Sequence, residues 1–463
     1  MTTPTAEPST AAPRPRGQRR PLDELSLAVD AAALAVASTG DPDWLAQDRA
    51  AAFHSWASLP GESNLLYTPY IDLRAARLDA ARLAPRPATS SPAANLPTDA
   101  DGLLETVEGI VTGAALSAEA AAAGVRLTTF AELLAADPAH ARTLLEGVGS
   151  LPGTDKFAQL TRALWAQAVV LDIPAGVRLV RPVIIRWRLG ASDRALLTRT
   201  LVHLGEGAEA SLVEEFVEES AEGPGTGQSF FAGTMEVSLE RAASLTVASL
   251  QELPDHLVAF QHRHAEIGED ASLHWAMAQL GGRLVRSRVD NRLAGDRSSV
   301  EQVEIVFGSD EQLFDLTSYT THIGRDTTGD LLSKGALLDR ARSYMKGLIT
   351  IDKSAVGTDS FLGEFGMNLS KSTRSVAIPS LEIDQPDCRR AAHSSSVGPI
   401  DETQLFYLES RGIPPDEARK FIVLGFLEPV VARVPLASAQ GRLRELLEAK
   451  WATGVGGGAK VAA

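Results

Sequence analysis

The chain has 463 residues, 44% of them hydrophobic and 22% charged, with a formal charge of -15 and a pI near 5.2. These values suit a folded globular protein and exclude full-length disorder; the acidity argues against nucleic acid, since no basic run exceeds "RPRGQRR" near the N-terminus. One cysteine cannot close an internal disulfide, no apolar leader opens the chain, and no apolar run approaches the roughly 20 residues of a membrane span, so the expected address is cytoplasmic, without membrane insertion.

Residues 1–20 and 453–463 have the composition of flexible tails. Between them the residues predict an N-terminal helical region over 21–168, a β-rich core over 169–390 and a C-terminal helical region over 391–452. In the first region, "DPDW" opens a helix with Asp41 as N-cap, Pro42 at the first helical position, and Leu45, Ala52 and Trp56 on one face. A stretch over 84–101 holds four prolines without apolar periodicity and reads as a linker. Alanine-rich helical patterns follow, to residue 168.

The core changes character. In "TMEVSLE", Met235, Val237 and Leu239 alternate with polar residues, as a strand requires. Similar small-residue corners, "GAEASL", "RAASL", "GEDASL" and "DRSSV", each lead into a strand. Their closing residues Leu212, Leu245, Leu273 and Val300 lie 33, 28 and 27 apart. That period suits coils of a β-helix, in which each turn buries its inward residues only by stacking on its neighbours. A sandwich or barrel satisfies the same spacing.

Beyond the core, Asp401 and Gln404 resemble a capping box, Gly412 suits a helix stop, Pro414 and Pro415 open a second helix, and Leu443, Leu446 and Leu447 mark a third.

Chemistry is sparse. The sequence contains no Gly-Lys pair, which excludes a P-loop, and no G-x-S-x-G, H-E-x-x-H or C-x-x-C motif. His256, His262, His264 and His274 form the densest histidine group. As residues i and i+2 of a strand, His262 and His264 share a face, which reads either as a solvated sheet surface or as a transition-metal site. Cys388 and His393 are two soft ligands spaced C-x4-H, too few to complete a site. Read alone, His393 is a polar residue in a loop before a helix, with no acid and serine ordered around it as a triad.

Three segments carry a resemblance: "DLTSYTTHIGRDTTGDLLSKGALLDRARSYMKGLITIDKSAVGTDSF", "NLSKSTRSVAIPSLEI" and "HSSSVGPIDETQLFYLESRGIPPDEARKFIVLGFLEPVV". In order and spacing they resemble the C-terminal signature of the SufB/SufD family of iron-sulfur cluster assembly proteins. The resemblance implies a right-handed parallel β-helix between helical regions. It implies a SufB-like partner, or a second copy of the chain, a SufC ATPase docked on the C-terminal helices, and apo iron-sulfur proteins as recipients. The cluster would be transient and shared with the SufB-like partner, with reduced flavin (FADH2) at the level of the complex.

Within that family the SufB scaffold cysteine aligns with Thr373, which points to the SufD-like branch. His393 falls on the SufD interface histidine and is a candidate shared metal ligand. Cys388 stands five residues before it rather than two. ATPase docking would involve Phe406, Tyr407, Arg411, Phe421 and Phe426. The alternatives are a homomeric scaffold and a polysaccharide-active β-helix enzyme, the latter needing aromatic platforms and paired carboxylates.

Overall fold

The computed structural model describes residues 20–87, 91–148, 151–219, 227–434 and 436–458. Its centre is a parallel β-solenoid of two sheets. Sheet A contains β1 (Arg82–Leu83), β4 (Arg126–Thr129), β5 (Gln167–Ile173), β7 (Arg194–Leu204), β9 (Ser229–Leu239), β11 (Leu257–Ile267), β13 (Leu284–Leu293), β15 (Leu313–His322), β17 (Arg342–Ile351) and β19 (Arg374–Ile383). Sheet B contains β2 (Gly102–Val107), β3 (Ile110–Leu116), β6 (Val183–Leu189), β8 (Glu209–Glu218), β10 (Ser244–Glu252), β12 (Ser272–Gln279), β14 (Ser299–Gly308), β16 (Thr328–Leu337), β18 (Asp359–Asn368) and β20 (Arg390–Pro399). Consecutive strands alternate between the sheets, so the pairs from β5/β6 to β19/β20 make about 8 turns.

The corner repeats find their cause here. Leu245, Leu273 and Val300 stand in register on neighbouring strands, as their spacing predicts. Leu212 pairs instead with Val247, and Leu245 with Ala210, so the first coil is two residues longer than the corner motif suggests. At one corner, Gly207, Ala242, Asp270, Arg297, Asp326 and Gly357 all adopt positive φ, between 56° and 79°. Each donates its amide to the next coil's corner carbonyl: Ala242 N to Glu269 O at 2.8 Å, Asp270 N to Asp296 O at 2.9 Å, Arg297 N to Arg325 O at 2.8 Å. Left-handed backbone is strained for Ala and Arg but tolerable for Asp and Gly, and the stacked hydrogen bonds offset it.

In the middle coils, such as β11 and β14, both sheet faces are buried, which is why those strands carry apolar residues at odd and even positions. In β14, Val300 and Val306 point into the solenoid, while Val303, Ile305 and Phe307 pack outward against C-terminal helices. Those helices are α7 (Glu402–Ser410), α8 (Pro415–Val431) and α9 (Ala437–Gly458). Val423, Leu427, Leu443 and Leu447 supply their side of that layer.

On the opposite side, sheet A is covered by α1 (Ala31–Ala37), α2 (Asp43–Ser58), α4 (Phe130–Ala136), α5 (Pro138–Val148) and α6 (Lys156–Leu164), whereas α3 (Ala118–Ala122) packs Ala120 into the interior of the solenoid. Phe157 of α6 packs edge-on against Phe260 of β11, ring centroids 4.8 Å apart. Beneath α6 lies an ionic network. Asp155 caps the helix, accepting from Phe157 N and Ala158 N, and meets Arg286 Nη2 at 2.7 Å and Arg288 Nη1 at 2.8 Å. Arg288 continues to Asp290, which also binds His262. The arginines and the cap amides hold the Asp155 carboxyl far below the usual carboxylate range against the opposing effect of burial.

Several expectations need correction. The N-terminal region is not wholly helical: β2 and β3 form an antiparallel hairpin that joins sheet B at β6. Its two-residue loop, Glu108-Gly109, has positive φ at both positions, the geometry of a tight hairpin turn. The proline-rich stretch is partly built in, with Asp101 buried and paired to Arg181 at 2.8 Å. Helix α2 starts at Asp43 with Pro42 as N-cap, because the Asp41 carboxylate is taken by Arg49 and Arg86. The solenoid extends to Pro399, past the expected boundary at 390, and α9 runs to Gly458 into the expected tail. Residues 1–19 and 459–463 of the two tails lie outside the described residues.

Candidate functional site at the open end of the solenoid

The last coil, β19 and β20, has a neighbour on one side only. In β18 the row Ser360, Leu362 and Glu364 is buried and faces inward. Parallel register places Ala391, His393 and Ser395 of β20 directly beside these residues, on the same face. His393 is therefore the last member of an inward row with no coil above it, and it is exposed together with Ser394, Ser395 and Ser396. The expected loop is a strand. The serines, poor helix formers but compatible with an edge, sit where one face must remain wet.

Beneath this row Glu364 is 2% exposed and accepts the Ile378 amide of β19 at 2.9 Å. Burial pushes its carboxyl up to about 8, partly offset by that amide. Gly347 of β17 leaves room for it, since a Cβ there would stand 2.9 Å from Glu364 Oε1. Sequence reasoning passed over Glu364. The available signal was an acid at an inward position of the alternating strand "DSFLGEFG".

Cys388 occupies the corner between β19 and β20, half-buried against the apolar group of Leu331, Ile349, Ile351 and Leu362. Leu381 and Ala391 pack against the same group beside it. Thr373 precedes β19 and spends its hydroxyl on Ser370 O at 2.7 Å, closing the turn into the strand.

The four histidines of the central group do not converge. His262 and His264 do share the outward face of β11, yet both are buried under the N-terminal region rather than solvated. His262 Nε2 lies 2.5 Å from Asp290 Oδ2. Neither ring nitrogen of His264 has a hydrogen-bond partner among the described residues, and burial pushes its pKa down to about 4. His274 belongs to sheet B, and His256 reaches Gly190 O at 3.2 Å. Among the described residues no three His, Cys, Asp or Glu side chains are placed to hold a metal ion.

The C-terminal helices present a second exposed surface. Phe406 of α7 is 72% exposed, and Tyr407 and Phe421 are also exposed. Arg411 caps α7 with its guanidinium 5.2 Å from the Tyr407 ring centroid. Phe426 differs: it is half-buried against the solenoid, where Lys334 lies 4.6 Å from its ring centroid and donates to its carbonyl at 2.7 Å. It anchors α8 and does not belong to the outward surface. Among the described residues no helix is long and apolar enough to cross a membrane.

The described residues thus offer a two-sheet solenoid whose last coil leaves His393 exposed, and a separate exposed aromatic surface on the C-terminal helices. Residues 187–426, from β6 into α8, match the family described as "SUF system FeS cluster assembly, SufBD core domain", and the chain belongs to that family. It is 30% identical to an iron-sulfur cluster assembly SufBD family protein of Mycobacterium tuberculosis over 309 residues, 65% of this chain and 75% of the relative. It is 28% identical to a SufBD family protein of Mycobacterium leprae over 65% of this chain and 76% of the relative. It is 29% identical to the iron-sulfur cluster assembly protein SufD of Bacillus subtilis over 296 residues, 64% of this chain and 67% of the relative.

Proposed function

We propose that this chain is the SufD-like, non-catalytic subunit of a cytoplasmic iron-sulfur cluster assembly complex, pairing end to end with a SufB-like scaffold chain and docking a SufC ATPase on α7 and α8. The observation that carries the reading is the uncovered end coil: it offers His393 at its open face, while Thr373 stands where a scaffold thiolate is expected. A nascent cluster, the cargo of the complex, needs about four ligands. One imidazole supplies at most one of them, so the remainder come from the partner.

His393 has two tasks in this reading. It lends a ring nitrogen to the shared cluster, or it relays a proton across the interface. Reduced flavin belongs to the level of the complex, with no residue of this chain assigned to it, and apo iron-sulfur proteins receive the product. A homomeric scaffold would bring two copies of His393 together without a thiolate at position 373.

Co-expression with a SufB-like chain and a SufC ATPase, followed by gel filtration, tests the assignment. A three-component complex is expected; this chain eluting apart from both would refute it.

A further inference from the structure

One inward row of sheet B is polar from the middle of the solenoid to its open end. Parallel register lines up Glu304 of β14, Ser333 of β16, Glu364 of β18 and Ser395 of β20, three strand spacings or about 14 Å in all. Glu304 and Glu364 are each 2% exposed, whereas Ser395 is exposed, so the row leads from buried carboxyls to solvent. Space runs beside it. Gly335 and Gly366 are partners in the adjacent inward row, and a Cβ at Gly335 would meet nothing nearer than 3.8 Å.

At the inner end of the row, buried polar atoms outnumber their partners. Arg263 of β11 crosses the interior to Glu214 Oε2 at 2.9 Å and Ser249 Oγ at 2.7 Å, yet its Nε and Nη1 have no hydrogen-bond partner among the described residues. The same holds for both amide atoms of Gln261 and for Gln279 Oε1, on residues at most 3% exposed. Gln279 joins this group to the row, its Nε2 donating to Glu304 Oε1 at 3.4 Å. A cavity of about 10 Å³ lined by Thr198, Thr200, Glu214, Gln261 and Arg263 has the room of one water. Buried polar atoms are costly to leave dry, so water is the partner that this concentration of them calls for.

We infer that the interior of the solenoid is a hydrated channel, entered at the last coil past Ser395 and Glu364, that carries water and protons inward to Glu304. The channel belongs to this chain alone and is independent of the pairing proposed above. The neighbouring inward row supplies the contrast: there Leu331 and Leu362 lead to His393 and exclude water. Inside the channel the Glu304 carboxyl O–H gives its proton to one water while a proton from another replaces it, so no net charge moves. The open end thereby has a reserve of exchangeable protons behind it.

Infrared hydrogen/deuterium exchange of the full chain tests the channel at pH 5, on the protonated side of a carboxyl that burial raises. The Glu304 carboxyl band is assigned by its loss in Glu304→Gln. On transfer to D2O that band is expected to shift within the mixing time, far ahead of the buried amides of β14, whose opening takes minutes to hours. Gly335→Val fills the free space beside the row and should slow the shift at least about tenfold, without lowering the melting temperature or altering exchange of the β14 amides. Gly335→Ala, a smaller plug, should slow it less. A wild-type Glu304 band that shifts only at the pace of the amides overturns the channel. Fast exchange that neither plug slows overturns it as well, since the proton then reaches Glu304 by another route.

Discussion

His393 of β20 stands in register with Leu362 of β18, one exposed and the other buried, on the same face of the same sheet. The pair marks the point at which the solenoid stops burying its inward row. Truncating Leu362 to Ala removes packing from a closed apolar group and should cost about 2–5 kcal/mol of unfolding free energy. His393→Ala should stay within about 0.5 kcal/mol of wild type, as a surface change does. Urea denaturation of both variants measures the contrast.

Asp155 ties the N-terminal region to the solenoid through a helix cap and two buried arginines. Asp155→Asn keeps a capping oxygen but leaves Arg286 and Arg288 short of their shared counter-charge. A loss of about 3–5 kcal/mol is expected, the cost of breaking a buried ion pair from one side. Asp155→Ala should lose about 1 kcal/mol more, the contribution of the cap. Equal stabilities for the two variants would deny the cap its separate role.

Two buried histidines make the fold acid-sensitive. His322, held between Thr327 Oγ1 at 2.8 Å and Ser360 Oγ at 3.0 Å, is pushed down to about 4 by burial, as is His264. A lowered pKa means that the unfolded chain takes up the proton first. Their contribution is therefore complete above about 6.5 and lost as pH falls toward 4. His203 runs the other way: its hydrogen bond to Asp172 raises it, so that contribution is complete below about 6.5 and fades as pH rises through the folded value. His203→Gln should thus cost more stability at pH 6 than at pH 9, whereas His322→Gln should flatten the decline between pH 6.5 and pH 4. Melting curves across that range decide.

Glu364 supplies a signature on the alkaline side. Its carboxyl, pushed up to about 8 by burial, favours the folded state while protonated, and that advantage is lost as pH rises from the unfolded value near 4.3 through 8. Glu364→Gln keeps an acceptor for the Ile378 amide and cannot ionise. It should therefore be more stable than wild type at pH 9 and close to it at pH 5. Identical melting temperatures at both pH values would mean that Glu364 titrates as an exposed acid.

On the C-terminal surface, Phe421→Ser should abolish ATPase capture with little change in stability, since the ring is exposed. Phe426→Ala should instead destabilise the chain by about 1–3 kcal/mol, because that ring holds α8 on the solenoid. A pull-down paired with denaturation separates the two phenylalanines.

Much of the architecture was legible because coils repeat. Leu245, Leu273 and Val300 announce a period, and stacking forces such residues into register. The β2-β3 hairpin escaped notice because it occurs once, although Glu108-Gly109 between alternating apolar runs was a usable sign. His262 and His264 were correctly placed on one face, but strand alternation cannot tell a face open to water from one covered by a distant segment. The Asp155 network that buries them joins residues more than a hundred positions apart. In the sequence His393 resembles a loop residue because a serine-rich run has weak strand propensity. The ladder to β18 overrides that preference.

The most direct measurement of the central claim is the iron and acid-labile sulfide content of the co-expressed complex carrying His393→Ala, set beside its subunit stoichiometry. If the uncovered end coil shares a site with its partner, the three subunits remain together while iron and sulfide fall several-fold below the wild-type complex. An intact complex with wild-type iron and sulfide would contradict the account and return His393 to an exposed residue on an edge strand.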